Sequence, residues 1–311
     1  MYKLYRGGAG RMCGRFTQKS ERKIITEEFY IQEFLSDVYI SYNIAPGQNA
    51  GVVISDSVKK YAQFRWGLVP FWADDPKIGY RMINARAETV AEKPSFRRAF
   101  VKRRCLIPAD GFYEWKKEGA YKTPFFITHR SGRPMSFAGL WEMWRPKETH
   151  EKGKSAGNEE PARLDTPPPD NRKSRGLNAA VYNQNTEAWG KERQKKGLSA
   201  TDSNMQGDLF SAETGPTSNK SPDSTLNTSL DTFTIITTNA NDKMRELHDR
   251  MPVVIPPDRR NEWLDPDNED APHLLELLVP IPSCEIDFYE VSRMVNSPKN
   301  NSPECIQPIS E

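Results

Sequence analysis

No stretch of this sequence approaches the eighteen or so apolar residues that a membrane-crossing helix needs, so a helical span is excluded. The first eleven residues, MYKLYRGGAGR, are basic and glycine-rich without an apolar core, which argues against a secretory signal. Cysteine is scarce. Cys13, Cys105, Cys284 and Cys305 lie far apart, with no CxxC and no Cys/His pair at metal spacing, so no metal is expected. A disulfide framework is improbable in so large a chain without a signal. No nucleotide or other cofactor motif occurs, and none is expected. Charge of one sign is lacking too: 44 basic side chains face 42 acidic ones, so net charge alone does not announce a polyanionic partner. Apolar residues make up only 36 % and mean hydropathy is −0.75, so part of the 311 residues is expected to lie outside any core.

What is present is strand-rich. Residues 51–55 and 61–68 read as paired strands, and 103–107, 111–115, 124–128 and 136–144 as successive strands with turns at Gly119 and Gly132. Residues 94–100 read as one short helix with Phe96, Ala99 and Phe100 inward. From 146 to 230 apolar residues become sparse and aperiodic, which predicts a disordered insertion with short helical turns around 186–196. Order resumes with the strand TFTIITT from Thr232, a short helix over 241–247 and the run 251–255. Helices are then expected over 257–264, entered through Pro-Pro-Asp, and over 272–278, with a final strand at 285–294. The tail, 299–311, is expected to be loose. Neither ordered block, 12–145 or 231–298, looks self-sufficient. One α+β domain over 12–298, mainly antiparallel sheet with short helices and a long insertion, is the simplest organisation. Cys105 reads as a buried small hydrophobe, Cys284 as the start of a strand, and Cys305 as a bystander.

Nine basic residues lie between Lys77 and Arg104 (Lys77, Arg81, Arg86, Lys93, Arg97, Arg98, Lys102, Arg103, Arg104) against two acids, Glu88 and Glu92. Such a surplus suits a phosphate-binding face, and an ordinary solvated surface equally well.

Several long motifs follow in order: MCGRF at 12–16, SYNIAPGQ at 41–48, RWGLVPFW at 65–72, NARAET at 84–89, RRCLIPADGFYEW at 103–115, TIITTNAN at 234–241 and LHDRMPVVI at 247–255. Together they resemble the SOS response-associated peptidase (SRAP) family. The resemblance implies recognition of abasic sites in single-stranded DNA, through a reactive cysteine that becomes the first residue after methionine removal. Cys13 after Met12 matches that position. A terminal cysteine offers an amine and a thiol on adjacent carbons, and the amine, with a reference pKa of about 7.7–8.0, is partly neutral at cellular pH. It can form a Schiff base with the aldehyde of a ring-opened abasic site, and the thiol can then close a thiazolidine. As written, Cys13 is internal. Either translation begins at Met12, which we favour, or residues 1–11 form a leader that is cleaved, by the protein itself or otherwise. With the leader attached, the route is lost.

The resemblance also assigns Asn84 to holding the sugar remnant and the cysteine amine, and Arg86 to a phosphate. If that segment is extended, both lie on one face. It assigns Glu114 to acid–base work, which a desolvated carboxylate between aromatics would suit. His248, one of four histidines with His129, His150 and His273, is assigned to proton relay. DNA contacts are expected from Arg15 and from Arg65, Trp66, Phe71 and Trp72, at least one aromatic stacking on a base, with Thr238, Asn239 and Asn241 lining the site. Without the resemblance, each of these residues has an ordinary structural explanation. Two other functions stay open: a cysteine peptidase acting only on its own leader, and a non-covalent single-stranded or modified-DNA module. The expected partner is single-stranded DNA carrying abasic sites, bound by a monomer with no membrane. The expected location is the cytoplasm (nucleoid) in a bacterium or the nucleus in a eukaryote.

Overall fold

The computed structural model describes residues 14–119, 121–147 and 229–309. Those up to 146 and from 229 onward belong to one compact unit. Of the insertion expected over 146–230, residues 148–228, including the helical turns near 186–196, lie outside the described residues, and Leu230 already begins a strand paired with Trp144.

In chain order the elements are β1 (Phe16–Gln18), α1 (Arg22–Phe29), β2 (Glu33–Phe34), β3 (Ser41–Ile44), β4 (Asn49–Ser55), β5 (Lys59–Trp66), β6 (Asn84–Arg86), α2 (Arg97–Lys102), β7 (Arg104–Ala109), β8 (Gly111–Glu118) and β9 (Tyr121–His129). They continue with β10 (Met135–Trp144), β11 (Leu230–Asn239), β12 (Arg250–Pro252), α3 (Arg260–Leu264), α4 (Ala271–Glu276) and β13 (Ile286–Glu290). One sheet runs β13-β9-β8-β1-β3, the other β12-β11-β10-β7-β4-β5-β2. Most pairings are antiparallel. The second sheet closes on itself because β11 also pairs parallel with β5, Thr232 opposite Arg65 and Phe233 opposite Trp66. The chain then leaves β5 and returns as β6, which continues along the same edge of β11 with Asn84 opposite Ile235. Gly67 makes that departure possible: its φ is +122°, and a Cβ there would stand 2.6 Å from the Gly79 carbonyl oxygen.

Strands form where alternation is cleanest. Along β5, Phe64 and Trp66 are buried while Gln63 and Arg65 are only partly so, as a pleated strand over a core requires. Between the sheets, Phe16 meets Trp66 edge-on at 5.1 Å, Phe137 touches both Phe16 and Phe112, and Trp66 stacks on Phe233. Burying each such ring contributes roughly 1.5–3 kcal/mol relative to exposure. The other face of the second sheet, with Val53, Leu106, Leu140 and Ile236, is covered by helices bringing Ile25, Phe29, Phe100, Trp263 and Leu274.

Local differences from expectation have physical causes. The helix expected at 94–100 begins only at Arg97, because Lys93 to Phe96 form a turn in which the Lys93 carbonyl accepts from Phe96 and Arg97. The helix expected over 241–247 is one short 3-10 turn, Met244–Glu246. The last strand stops at Glu290, where the Ser292 hydroxyl accepts from the Met294 N–H and starts a 3-10 turn over Arg293–Asn296. Cys284 begins no strand; it lies exposed in the turn Ser283–Glu285. The tail is not loose through residue 309. Pro303–Ile306 forms a 3-10 turn, Cys305 is buried, and the Ile309 N–H donates to the Glu290 carbonyl.

Candidate active site

Strand β1 is tied to both sheets. Gln18 spans to the second sheet, its Nε2 donating to the carbonyls of Gly51 at 2.8 Å and Pro108 at 2.7 Å. Two residues earlier, Phe16 lies on Trp66 at the end of β5. Trp66 Nε1 in turn donates to the Ile83 carbonyl at 2.8 Å, one residue before Asn84, so Phe16 packs close to the start of β6. In its own sheet β1 pairs Phe16 with Phe112, and Tyr113 N–H donates to the Arg15 carbonyl at 3.0 Å. One further step of that register sets Gly14 opposite Glu114. Cys13 lies outside the described residues.

Glu114 is 4 % exposed and shares its strand face with Phe112, so it looks into the space between the sheets. Lys116, two residues on, pairs with Glu118 at 2.8 Å and lies near enough to Glu246 for their charges to interact. The β8–β9 hairpin therefore borders the loop that carries His248. On β6, Asn84 and Arg86 do share a face; Asn84 is half-buried and Arg86 exposed, opposite Thr237.

The loop is built from Asn241, whose Oδ1 accepts from the Met244 N–H and whose Nδ2 donates to the Ile281 carbonyl, both at 2.8 Å. Asn241 thus shapes the loop rather than lining a cleft. His248 Nδ1 stands 2.7 Å from an Asp249 carboxylate oxygen and accepts from the Arg250 N–H at 3.2 Å. Arg250 is buried. Its guanidinium grips both oxygens of Glu88 and donates to the Thr237 carbonyl at 2.7 Å and to Asn239 Oδ1 at 3.1 Å. Asn239 is exposed, whereas Thr238 is buried and, one residue away on the strand, faces the opposite side.

Among the aromatic candidates Trp66 must be corrected. It is 1 % exposed, inside the core, with Nε1 donating to the Ile83 carbonyl, and no base can stack on it. Phe71 and Trp72 are 47 % and 43 % exposed. The Arg98 guanidinium sits 4.8 Å from the Phe71 ring, and that of Arg65 lies 5.2 Å from Tyr80. Arg15 is not a free surface cation: its Nη1 donates to Asn43 Oδ1 and to the Val295 carbonyl, both at 2.7 Å. The basic stretch divides in the same way. Lys102 pairs with Glu269, Arg103 with Glu142, and Arg104 is buried among five carbonyl oxygens, whereas Lys77, Arg81, Arg86, Lys93, Arg97 and Arg98 are exposed. The Glu88–Arg250 clamp and the exposed Tyr80 were missed. Glu88, one of only two acids amid nine basic residues, was the available signal for the clamp; nothing in the sequence pointed to Tyr80.

Comparison with known proteins agrees with this architecture. The family model described as SOS response associated peptidase (SRAP) matches residues 12–157 and 204–298. Abasic site processing protein YoqW of Bacillus subtilis (strain 168) is 38 % identical over 300 residues, 95 % of this chain and 99 % of that protein. Abasic site processing protein HMCES of Xenopus tropicalis is 28 % identical over 283 residues, 86 % of this chain and 66 % of its own length. A crystal structure of a protein from Bacteroides thetaiotaomicron, 22 % identical, shares the fold with a TM-score of 0.63, covering 96 % of this chain and all of that one. The chain belongs to the SRAP family.

Proposed function

We propose that this chain, with Cys13 as its N-terminal residue, recognises abasic sites in single-stranded DNA and captures them covalently as a thiazolidine. The neutral amine attacks the aldehyde carbon of the ring-opened sugar and water leaves, giving an imine. The thiolate sulfur then bonds to that carbon while the nitrogen takes a proton, closing a five-membered ring. One water is lost in total, and nothing is oxidised or reduced.

The observation that supports this reading is the packing of Phe16, three residues after Cys13, on Trp66 next to the start of β6, together with the pairing of β1 with the strand that carries Glu114. Glu114, shielded from solvent, exchanges the protons that ring opening, water loss and ring closure require. Asn84 orients the amine and the sugar remnant. His248, with Nδ1 accepting from the Arg250 N–H, presents its Nε2–H to the sugar or phosphate oxygens. Arg86, with the exposed Phe71, Trp72 and Arg98, receives the strand on either side of the lesion. The names of the similar proteins support an abasic-site substrate.

The test compares chains starting at Cys13, verified by mass, on lesion and undamaged single strands in a denaturing gel. Adduct should need both the lesion and Cys13. Cys13→Ser, which keeps the amine and loses the thiol, should be trapped only with a hydride reductant. Equal adduct from Cys13→Ala without reductant would overturn the reading.

The family's description as a peptidase supports a second activity, removal of the residues ahead of Cys13 by its own thiol with His248 or Glu114 as base. Intact mass of the full-length chain and of Cys13→Ala decides it: a wild type that keeps its leader contradicts self-processing.

A further inference from the structure

The C-terminal segment that was expected to be loose lies against the strand that carries the chain's start. Asn43, on β3, is 1 % exposed and joins the two. Its Oδ1 accepts from Arg15 Nη1 at 2.7 Å. Its Nδ2 donates to the carbonyls of Val295, Ser297 and Asn300 at 3.2, 3.0 and 2.7 Å. Arg15 itself reaches the Val295 carbonyl and lies 5.8 Å from the Trp115 ring, whose Nε1 donates to Asn296 Oδ1 at 2.7 Å. Further along, Asn301 Oδ1 accepts from Tyr42 N–H and Ser41 Oγ, and Tyr289 hydroxyl donates to the Ile306 carbonyl. One buried amide thus couples the C-terminal turns to the residue two places after Cys13.

A guanidinium on the first strand would be expected to point at solvent or at phosphate. Here it is turned to the outer side of the β8 sheet, where burial lowers its pKa. The opposite side of the same strand carries Phe16 into the core. Arg15 is therefore held on one side and Phe16 on the other. The backbone between them is fixed by Tyr113 N–H on the Arg15 carbonyl. A free N-terminus normally frays. A terminal nucleophile cannot, because misplacement by about 1 Å can cost on the order of a hundredfold in rate.

We infer that Asn43 and the C-terminal segment 293–309 form a positioning device for the terminal nucleophile, acting through Arg15. The inference rests on the capture reading above. Arg15 and Asn43 are positioning residues, and the device fixes the backbone at Arg15, two residues after Cys13.

The experiment follows adduct formation under single-turnover conditions against DNA concentration, with every chain verified to begin at Cys13. Arg15→Met removes the link, and Arg15→Lys keeps a donor. Asn43→Asp keeps the acceptor for Arg15 but replaces the donor to the three carbonyls. Trp115→Phe removes the bond to Asn296 and shrinks the ring beside Arg15, and serves as the milder variant if the others fold poorly. The maximal rate should fall roughly ten- to a hundredfold in Arg15→Met and Asn43→Asp, less in Arg15→Lys and Trp115→Phe, at full final amplitude. Half-saturation by DNA should not move. Unchanged rates would overturn the inference. So would reduced amplitude at an unchanged rate constant, which means a folding role only. A raised half-saturation at an unchanged maximal rate would also overturn it, making Arg15 a direct DNA contact. No adduct in the wild type removes the capture reading and this inference together, whereas wild-type capture with unaffected variants removes the inference alone.

Discussion

Arg250 grips both carboxylate oxygens of Glu88, tying the strand that follows His248 to the turn that follows Asn84. Two segments far apart in sequence are locked together at the site by this one pair. The hydrogen bond from Arg250 holds the Glu88 carboxyl below its ordinary value of 4.5. A depressed folded-state pKa contributes stability that is present above the unfolded value and is lost as pH falls through the folded one. Glu88→Gln should therefore lower stability at neutral pH by about 1–3 kcal/mol, because Arg250 is buried and loses a charged partner. Thermal unfolding from neutral pH down to acid should show the difference between wild type and variant shrinking below about pH 4.5. A constant difference across that range would contradict the pairing.

Trp66 and Trp72 should separate stability from binding. Trp66→Ala should cost about 3–5 kcal/mol of stability, as large-to-small changes in cores do. Trp72→Ala and Phe71→Ala should leave unfolding unchanged and weaken single-strand binding, by about 1–3 kcal/mol for whichever ring stacks on a base. Denaturant unfolding beside fluorescence titration with single strands checks both. Unaltered DNA binding in the double variant Phe71→Ala/Trp72→Ala would remove this surface as the stacking platform.

The basic stretch should split by salt dependence. Arg98→Ala should shallow the slope of log K against log salt by about one for a single phosphate contact. Arg104→Met should leave the slope alone and destabilise the fold by at least about 2 kcal/mol, because five carbonyl oxygens lose their charged donor. A salt slope altered by Arg104→Met would contradict that assignment.

Glu114→Gln should keep DNA affinity and slow adduct formation by about 10²-fold or more, the usual scale for losing a general acid–base group. Rapid quench followed by denaturing electrophoresis measures it. A wild-type rate in this variant would assign Glu114 a structural role only.

Much of this arrangement was legible in the sequence, and the exceptions share a cause. Strands β4, β5, β7 to β11 show alternating or continuous apolar runs of β-branched and aromatic residues, so their existence follows from pattern alone. The difference between Trp66 and Trp72 does not. Both belong to RWGLVPFW, but Trp66 is the last inward residue of β5 and Trp72 follows the turn that Gly67 permits. Hydropathy cannot see that reversal. The tail misled for another reason: it is held by Asn43, Asn300 and Asn301 bonding to backbone and by Cys305 buried beneath, and polar composition gives no sign of such anchoring. Likewise, Arg15, Arg98 and Arg104 look alike as letters, and only their acceptors distinguish structural cations from surface ones.

The central claim is that amine and thiol of one terminal residue act on one carbon; imine and thiazolidine share one mass, so the test is whether that mass survives denaturation without reductant and needs the thiol. Protein beginning at Cys13 is incubated with an abasic single strand, without reductant, and denatured before weighing. The account predicts a species with the mass of protein plus DNA less one water, absent from Cys13→Ala and from chains that retain Met12. No such species from protein with a verified free Cys13, or the same species from chains whose Cys13 amine is blocked, would contradict it.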